Sequence, residues 1–243
     1  MRINKYFTDR GYCSRREADR LIEAGRVKIN GRKAVLGDQV EETDNVTIDG
    51  NKLTTRGKRV YIMYNKPFGI TCTTDREISR NIVDEVKHPL RVFPIGRLDK
   101  ASTGLIFLTN DGEIVNKILR AQYGHEKEYE VEVGAPYPDS FLKDMASGVT
   151  IDGYTTKPCK LKRLSETWFS IILTEGKNRQ IRRMTEALGF KVKQLHRIRI
   201  MNVLIDNLEI GEWRDIPVKD LEKLKATLDQ QDEKTSEEVD VEE

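Results

Sequence analysis

The sequence is poor in the residues that bind metals and form disulfides, with three cysteines and three histidines among 243 residues. Cys13, Cys72 and Cys159 are odd in number and include no CxxC pair, which argues against a disulfide framework and a zinc site. The histidines also lack the spacing of metal ligands. We therefore expect no metal, no cofactor and a reducing, cytoplasmic environment.

Long apolar runs and internal repeats are absent as well. No stretch approaches the roughly 18 apolar residues of a membrane span, and the first residues include no apolar leader. Gly176, Lys177 and Asn178 lack the upstream glycines of a phosphate-binding loop. The hydrophobic fraction of 37% is still sufficient for a core, and the length favours two domains. We expect a folded monomer without membrane partners.

Charge is distributed unevenly along the chain. Residues 228–243 contain eight acids and one lysine, a net charge of −7. Since the whole chain has a formal charge of +2, the preceding 227 residues carry a net charge of +9. A basic body is typical of proteins that bind nucleic acids. The acidic segment has no aromatic residues, which predicts a disordered tail over 228–243.

The N-terminal part predicts a capped helix with one basic side. Ser14 and Glu17 have the spacing of a capping box, in which each side chain binds a free backbone N–H. The predicted helix covers residues 15–24, and its apolar positions share one face while arginines occupy the other. Gly25 can end it in the left-handed conformation.

A predicted hairpin follows this helix. Residues 27–29 lead into Asn30 and Gly31, the residue pair that most strongly indicates a two-residue β-turn. Residues 1–33 contain ten Lys or Arg against four acids, which by itself could be a solvated surface. Together, the motifs at 2–6, 14–18 and 21–31 resemble the S4 RNA-binding module, which we assign to residues 1–55. That resemblance implies RNA contacts by the cations Arg2, Lys5, Arg15, Arg16, Arg26 and Lys28.

After a polar linker at 54–58, apolar runs alternate with helical patterns up to residue 227. The pattern predicts strands over 105–108, 129–133 and 168–173. A loop over 174–178 precedes a predicted helix that ends before Gly189. Residues 59–227 are therefore expected to form an α+β domain.

One carboxylate has surroundings suited to chemistry. Asp99 lies between Gly96 and Gly104, directly before the predicted strand at 105–108, so the backbone can turn tightly and a ligand can approach. Arg97 and Lys100 favour its ionised form. An aspartate that only organises a loop is the ordinary alternative.

The segment from 94 to 104 resembles the catalytic motif of RNA pseudouridine synthases, in the branch that contains small-subunit synthase A and large-subunit synthases B, E and F. Motifs at 65–69, 125–129 and 176–184 add to this resemblance, which spans nearly residues 1–217. It implies an S4-like module followed by a catalytic domain with a mixed, largely antiparallel sheet flanked by helices. It also implies isomerisation of uridine without a cofactor.

The resemblance implies roles for three residues: Asp99 as the catalytic carboxylate, Tyr129 as the ring that stacks on the target base, and Arg182 as the ion-pair partner of Asp99. A core tyrosine and a solvated helix arginine are the ordinary alternatives. Arg97 would fill the stack vacated by the flipped base, and Arg197 and Arg199 would form one basic strand face. The full RNA-binding set in this domain is Arg97, Lys127, Asn178, Arg179, Gln180, Arg183, Arg197 and Arg199.

The expected partner is structured RNA, specifically 23S ribosomal RNA or a ribosomal precursor. Three alternatives remain open at this point. The chain could be a non-catalytic S4-type RNA-binding or ribosome-assembly factor, a synthase acting on tRNA or 16S ribosomal RNA, or a glycosylase that releases the base.

Overall fold

The computed structural model describes residues 1–53, 58–120 and 123–240, so most of the predicted linker at 54–58 lies outside the described residues. The chain forms two compact units. The first comprises Met1–Val60 with two short segments, His88–Val92 and Thr109–Gly112, and the second comprises the remainder.

The first unit combines helices with a four-stranded sheet of order β2-β1-β3-β4. Its core is formed by residues such as Phe7, Ala18 and Val27, each of which is fully buried. Burial of such side chains stabilises the unit by about 1.5–3 kcal/mol for each large one. The elements are α1 (Ile3–Asp9), α2 (Arg15–Glu23), β1 (Val27–Ile29), β2 (Arg32–Lys33), β3 (Val46–Ile48) and β4 (Asn51–Lys52).

The predicted turn and helix end of this unit are confirmed, as is the Ser14 half of the capping box, whereas the Glu17 carboxylate accepts a hydrogen bond from Arg20 Nη1 at 3.3 Å. The Ser14 hydroxyl accepts a hydrogen bond from the Glu17 N–H at the start of α2, at 3.1 Å. Asn30 and Gly31 both have positive φ, so they form the predicted turn between β1 and β2. Gly25 has a φ of +71°, the left-handed conformation that follows α2.

The second unit is built around a nine-stranded sheet, accompanied by helices and a separate two-stranded sheet. Its strands are β5 (Tyr61–Lys66), β6 (Phe93–Ile95), β7 (Thr103–Thr109), β8 (Lys127–Val133), β9 (Thr150–Ile151), β10 (Tyr154–Thr155), β11 (Lys160–Arg163), β12 (Trp168–Leu173), β13 (Val192–Ile200), β14 (Val203–Leu204) and β15 (Trp213–Asp215). Its helices are α3 (Ile82–Val86), α4 (Gly112–Leu119), α5 (Asp139–Ser147), α6 (Gln180–Ala187) and α7 (Val218–Asp240).

The strand order of the large sheet is β11-β12-β8-β13-β7-β5-β15. In addition, β14 pairs with β13 and β6 pairs with β7. The pairings of β11 with β12, β12 with β8, β8 with β13, and β15 with β5 are antiparallel, whereas β13 and β7 are parallel. This confirms the predicted α+β class with a mixed, largely antiparallel sheet. Residues 105–108 of β7 are almost completely buried, as their continuous apolar sequence predicts.

The parallel contact between β7 and β13 depends on a glycine. Gly104 has a φ of +105° and pairs with Arg197 of β13. A Cβ atom at this position would lie 2.3 Å from the Arg197 carbonyl oxygen and 2.5 Å from its nitrogen. Because neither conformation nor space admits a side chain here, glycine is what lets the two strands approach.

The acidic tail predicted to be disordered over 228–243 is instead helical as far as Asp240, because α7 continues through it. Leu224 and Leu228 on one side of α7 are buried in the core, which extends the apolar face into the acidic segment. Asp229 and Asp232 are paired with Lys117 and Arg120, which compensates part of the negative charge. In the described part of the chain, no helix has the length and apolar character needed to cross a membrane.

Replacing Gly104 by alanine is expected to lower the free energy of unfolding by about 3 kcal/mol or more, because the methyl group would push β13 away from β7. Gly153→Ala is the matched control, since Gly153 also has positive φ but no atom within 4 Å of the added Cβ. Its cost should be about 1–2 kcal/mol of backbone strain. Urea unfolding of both variants measures the difference, and equal costs would contradict the close-approach argument.

Candidate active site

Asp99 lies in the turn that leads from β6 into β7, and its side chain is about one-third exposed. The Ser102 N–H donates to the Asp99 carbonyl at 3.0 Å, which closes the turn. Gly96 has a φ of +75°, so the chain can reverse direction just before Asp99. Gly96 therefore has the turn-forming role that the sequence predicted, whereas Gly104 allows β7 to approach β13.

The segment after β5 supports the Asp99 turn from one side. The Gly69 N–H donates to the Lys100 carbonyl at 2.8 Å, and the Leu98 N–H donates to Cys72 Sγ at 3.4 Å. Lys66 is fully buried, and its ammonium group donates to the Pro67 and Ile70 carbonyls. Burial lowers the pKa of Lys66, whereas Asp99 acts to raise it. The motif at 65–69 thus supports the Asp99 turn through the hydrogen bond from Gly69 to Lys100.

Arg182 of α6 supports the same turn from the other side. Its Nη2 donates to the Ala101 carbonyl at 3.0 Å and to the Ser102 hydroxyl at 3.4 Å. The residue is 8% exposed, and its Nε has no hydrogen-bond partner. Burial and the nearby charge of Arg179 lower the pKa of Arg182, whereas Asp99 and Glu186 act to raise it.

The ion pair of Asp99 differs from the predicted one. Arg179, not Arg182, is the cation within 4 Å of the carboxylate, with 3.9 Å between Nη1 and Oδ2. Arg179 is the N-cap of α6 and has a φ of +49°, so its side chain leaves the helix axis before the first turn. Arg182 lies almost one turn later and contacts the backbone that follows Asp99. Counting residues along the helix could not distinguish these two positions.

Glu175 organises the loop that presents Arg179. Its carboxylate accepts hydrogen bonds from the Tyr154 hydroxyl at 2.7 Å, the Lys157 N–H at 3.0 Å and Gln180 Nε2 at 2.7 Å. Burial by itself would raise the pKa of Glu175, but these hydrogen bonds bring it below the usual value. Gln180 is buried and braces Glu175, so its predicted RNA contact stays a prediction, and sequence motifs did not indicate the role of Glu175 in this loop.

Tyr129 lies on β8, opposite Arg197 of β13, which in turn pairs with Gly104 of β7. The three residues form a row across neighbouring strands, which are spaced about 4.8 Å apart. The Tyr129 ring is partly exposed, and the Arg197 guanidinium carbon lies 5.9 Å from its centroid. The tyrosine is thus held close to the Asp99 turn by the order of the strands.

A cavity of about 520 Å³ brings most of the predicted residues of this unit together. That volume is in the range of small-molecule sites. Asp99, Tyr129 and Arg182 all line it. The predicted RNA-binding residues along its wall are Arg97, Lys127, Asn178, Arg179, Gln180 and Arg197.

The predicted basic strip on β13 is not an exposed surface. Arg197 is 4% exposed and donates from Nε to the Leu105 carbonyl at 2.6 Å. Arg199 pairs with Glu126 and Glu128 at 3.0 and 2.8 Å, and a register shift separates it from Arg197. Arg183 is paired with Asp152. Because a register shift interrupts the strand between Arg197 and Arg199, simple alternation did not predict the surroundings of these two cations.

In the first unit, the predicted RNA-binding cations have different surroundings. Arg2, Arg15, Arg16 and Lys28 are exposed, whereas Lys5 is partly buried. Arg26 forms a bidentate ion pair with Asp49, through its Nε and Nη2. The exposed arginines of α2 therefore remain the best candidates for phosphate contacts in this unit.

Across the described residues, no group of three or more His, Cys, Asp and Glu side chains could hold a metal ion. His196 Nδ1 forms a 2.8 Å hydrogen bond with the Thr103 hydroxyl, and its burial lowers its pKa. His125 bonds to the Ile118 carbonyl and to Gln231. Both histidines therefore have structural partners.

Comparison with known proteins identifies two family models along the chain. The model described as RNA pseudouridylate synthase matches residues 60–187. The S4 domain model matches residues 1–46.

Curated relatives cover most of the chain. "Dual-specificity RNA pseudouridine synthase RluF" of Escherichia coli (strain K12) is 53% identical over 218 residues, which are 89% of this chain and 75% of the relative. "Ribosomal large subunit pseudouridine synthase B" of Bacillus subtilis (strain 168) is 34% identical over 94% of this chain and 97% of its own. The solved "Crystal structure of pseudouridylate synthase" has a TM-score of 0.68, with 33% identity and coverage of 92% and 99%.

The partly buried Lys127 in the cavity wall predicts a pH dependence of stability. Burial, with a contribution from Arg197, lowers the pKa of Lys127 to about 8. Below pH 8 the folded protein holds a partly desolvated ammonium group, and as the pH rises above 8 this cost falls because Lys127 loses its proton in the folded protein before it does so in the unfolded chain. Lys127→Met should therefore raise the free energy of unfolding more at pH 7 than at pH 10, by on the order of 2 kcal/mol. Urea unfolding of wild type and variant at both pH values measures this difference, and a larger gain at pH 10 would contradict the assignment.

Proposed function

Because this chain belongs to the RNA pseudouridylate synthase family, we propose that it converts uridine to pseudouridine in large-subunit ribosomal RNA, with Asp99 as the catalytic carboxylate. The family membership predicted from the motifs is confirmed, and the enzyme is an isomerase. Sequence features at 197–202 and 211–214 additionally resemble large-subunit synthase F. The name of the Bacillus subtilis relative, a ribosomal large subunit pseudouridine synthase, supports a ribosomal substrate.

The reaction rearranges one nucleotide without net change in composition. The bond between N1 of uracil and C1′ of ribose breaks, the base turns, and a bond forms between C5 and C1′. The proton on C5 is released, and N1 takes up a proton. The free base must be retained during this rotation, and water must be kept from the sugar.

The observation that supports this function best is the shared cavity of Asp99 and Tyr129. A carboxylate beside the sugar can attack C1′ or remove the 2′ proton, and both routes begin from the same position. A flat ring beside it can stack on uracil while the base turns, because stacking tolerates rotation. A uridine reaches such a cavity when it is flipped out of the RNA.

Arg179 and Arg182 have separate functions in this proposal. Arg179 pairs with the Asp99 carboxylate, at 3.9 Å from Nη1 to Oδ2, and orients it. Arg182 holds the turn through Ala101 and Ser102, so that it positions Asp99 without contacting its carboxylate. Arg97 is exposed at the cavity, where it can occupy the space left by the flipped base.

RNA binding is distributed over both units. The S4 domain supplies exposed cations, with Arg15 and Arg16 on the polar face of α2. Since base flipping costs a few kcal/mol, such docking contacts help to offset it. A glycosylase or a non-catalytic RNA-binding protein would also bind RNA, so the reaction product distinguishes the three.

Replacing Asp99 by asparagine is expected to reduce isomerisation to below about one thousandth of the wild-type rate, because the amide keeps the shape but loses the charge and nucleophilicity. The assay uses large-subunit ribosomal RNA labelled with tritium at C5 of uridine, since formation of the new bond releases this tritium. RNA affinity should stay within a few-fold of wild type.

Asp144→Asn is the matched control, because Asp144 is an exposed aspartate of α5 outside the cavity. Near wild-type tritium release by Asp99→Asn would refute the assignment of the carboxylate. Abasic sites in the product RNA would instead indicate a glycosylase. Parallel reactions with small-subunit ribosomal RNA and tRNA test the alternative substrates.

Arg179→Ala and Arg182→Met should have different signatures. Arg179→Ala removes a half-exposed partner of Asp99, so we expect a rate about tenfold lower at saturating RNA with little change in stability. Arg182→Met removes the buried bonds to Ala101 and Ser102, so both the rate and the free energy of unfolding should fall, the latter by about 2 kcal/mol. Arg76→Ala is the control, since Arg76 is an exposed arginine that pairs with Asp84 outside the cavity. Unchanged activity of Arg182→Met would exclude its positioning role.

A further inference from the structure

The end of α7 contacts a segment made of the last residues of α4 and the described residues that follow it, 120 and 123–125. Lys117 Nζ lies 2.6 Å from Asp229 Oδ1 and 3.0 Å from Asp232 Oδ2. Asp232 Oδ1 also accepts hydrogen bonds from Arg120 Nη1 at 2.7 Å and from the Tyr123 hydroxyl at 2.6 Å. One carboxylate thus joins three side chains of this segment.

A neighbouring contact continues toward the cavity. Gln231 Oε1 lies 2.6 Å from His125 Nε2, and His125 Nδ1 lies 2.9 Å from the Ile118 carbonyl. The His125 carbonyl accepts a hydrogen bond from Lys127 Nζ at 3.1 Å. We refer to Asp229, Gln231 and Asp232 as the α7 clasp.

The segment held by the α7 clasp is also a wall of the catalytic cavity. Ile118, Leu119, Arg120 and His125 line the same cavity as Asp99 and Tyr129. The clasp residues themselves are not among its lining residues. A substitution in the clasp would therefore affect the reaction rate through the position of the wall residues, since the clasp side chains do not line the cavity.

We propose that the α7 clasp positions this wall of the cavity, with Asp232 as the main positioning residue for the flipped nucleotide. This inference rests on the proposed function, because its readout is the isomerisation rate. It gives the acidic end of the chain a role in catalysis, in addition to its contribution to the fold.

The clasp and the docking of α7 are physically separable. Leu224 and Leu228 are almost fully buried in the core and hold the helix in place. The clasp ion pairs are partly exposed, and such pairs contribute about 0–1 kcal/mol each. Tyr123 and Lys117 bring the pKa of Asp232 below its usual value, so this carboxylate is charged at neutral pH. Its removal should loosen the wall while α7 remains docked.

The test compares Asp232→Asn with Glu233→Gln in the full chain. Both substitutions remove one negative charge at adjacent positions of α7, but Glu233 is exposed and outside the clasp. We expect Asp232→Asn to lower the single-turnover rate of tritium release at saturating ribosomal RNA about tenfold relative to Glu233→Gln, since small displacements at a site are costly. The dissociation constants of the two variants for this RNA should agree within about twofold.

Asp232→Glu keeps the carboxylate and should recover part of the rate, which a purely helical or stability effect would not produce. Equal rates for Asp232→Asn and Glu233→Gln would overturn the proposal. Tighter RNA binding by Asp232→Asn with an unchanged rate would also overturn it and would indicate that Asp232 competes with RNA phosphates. If the wild-type protein released no tritium from any RNA tested, the proposed function itself would fail, which is a distinguishable result.

Discussion

The close parallel contact of β7 with β13 at Gly104 is the constraint on which the site depends. This contact lies between one group of strands, β11-β12-β8-β13, and another, β7-β5-β15. Asp99 precedes β7 and Tyr129 lies on β8, so the two belong to different groups. Because β13 is the strand between β7 and β8, its approach to Gly104 sets the distance between the carboxylate and the ring. The close approach of the backbone at Gly104 is therefore also needed to keep Asp99 and Tyr129 in one cavity.

Several cations are buried near this contact. Lys66 and Arg197 are almost fully buried, and neither forms an ion pair within 4 Å in the described residues; both donate instead to backbone carbonyls. Desolvation of these groups is costly, as the lowered pKa values of Lys66 and Lys127 indicate. The arrangement is suited to a ligand that brings negative charge with it, as RNA does. Burial of these cations is therefore a cost to stability at neutral pH that a bound polyanion would reduce.

The sequence predicted the parts of this design that are local. The Ser14 cap of α2, the Asn30 turn, the buried strand at 105–108 and the Asp99 turn each depend on residues close together in the chain, and each was found. The errors concern contacts between distant segments. Strand alternation could not show that Arg197 would be covered, because its position depends on β7, some 90 residues earlier.

The same limitation explains Arg179 and the acidic end of the chain. Arg182 was favoured as the partner of Asp99 from its position on a helix face, but the left-handed conformation of Arg179 places that cation beside Asp99. The tail was predicted to be disordered from its composition, yet its helix is stabilised by cations more than 100 residues earlier. A surplus of acid in one segment is therefore evidence of disorder only when no basic segment lies within reach in the fold. In this chain α4 supplies that segment, and the pairing places the acidic end of the chain next to the wall of the catalytic cavity.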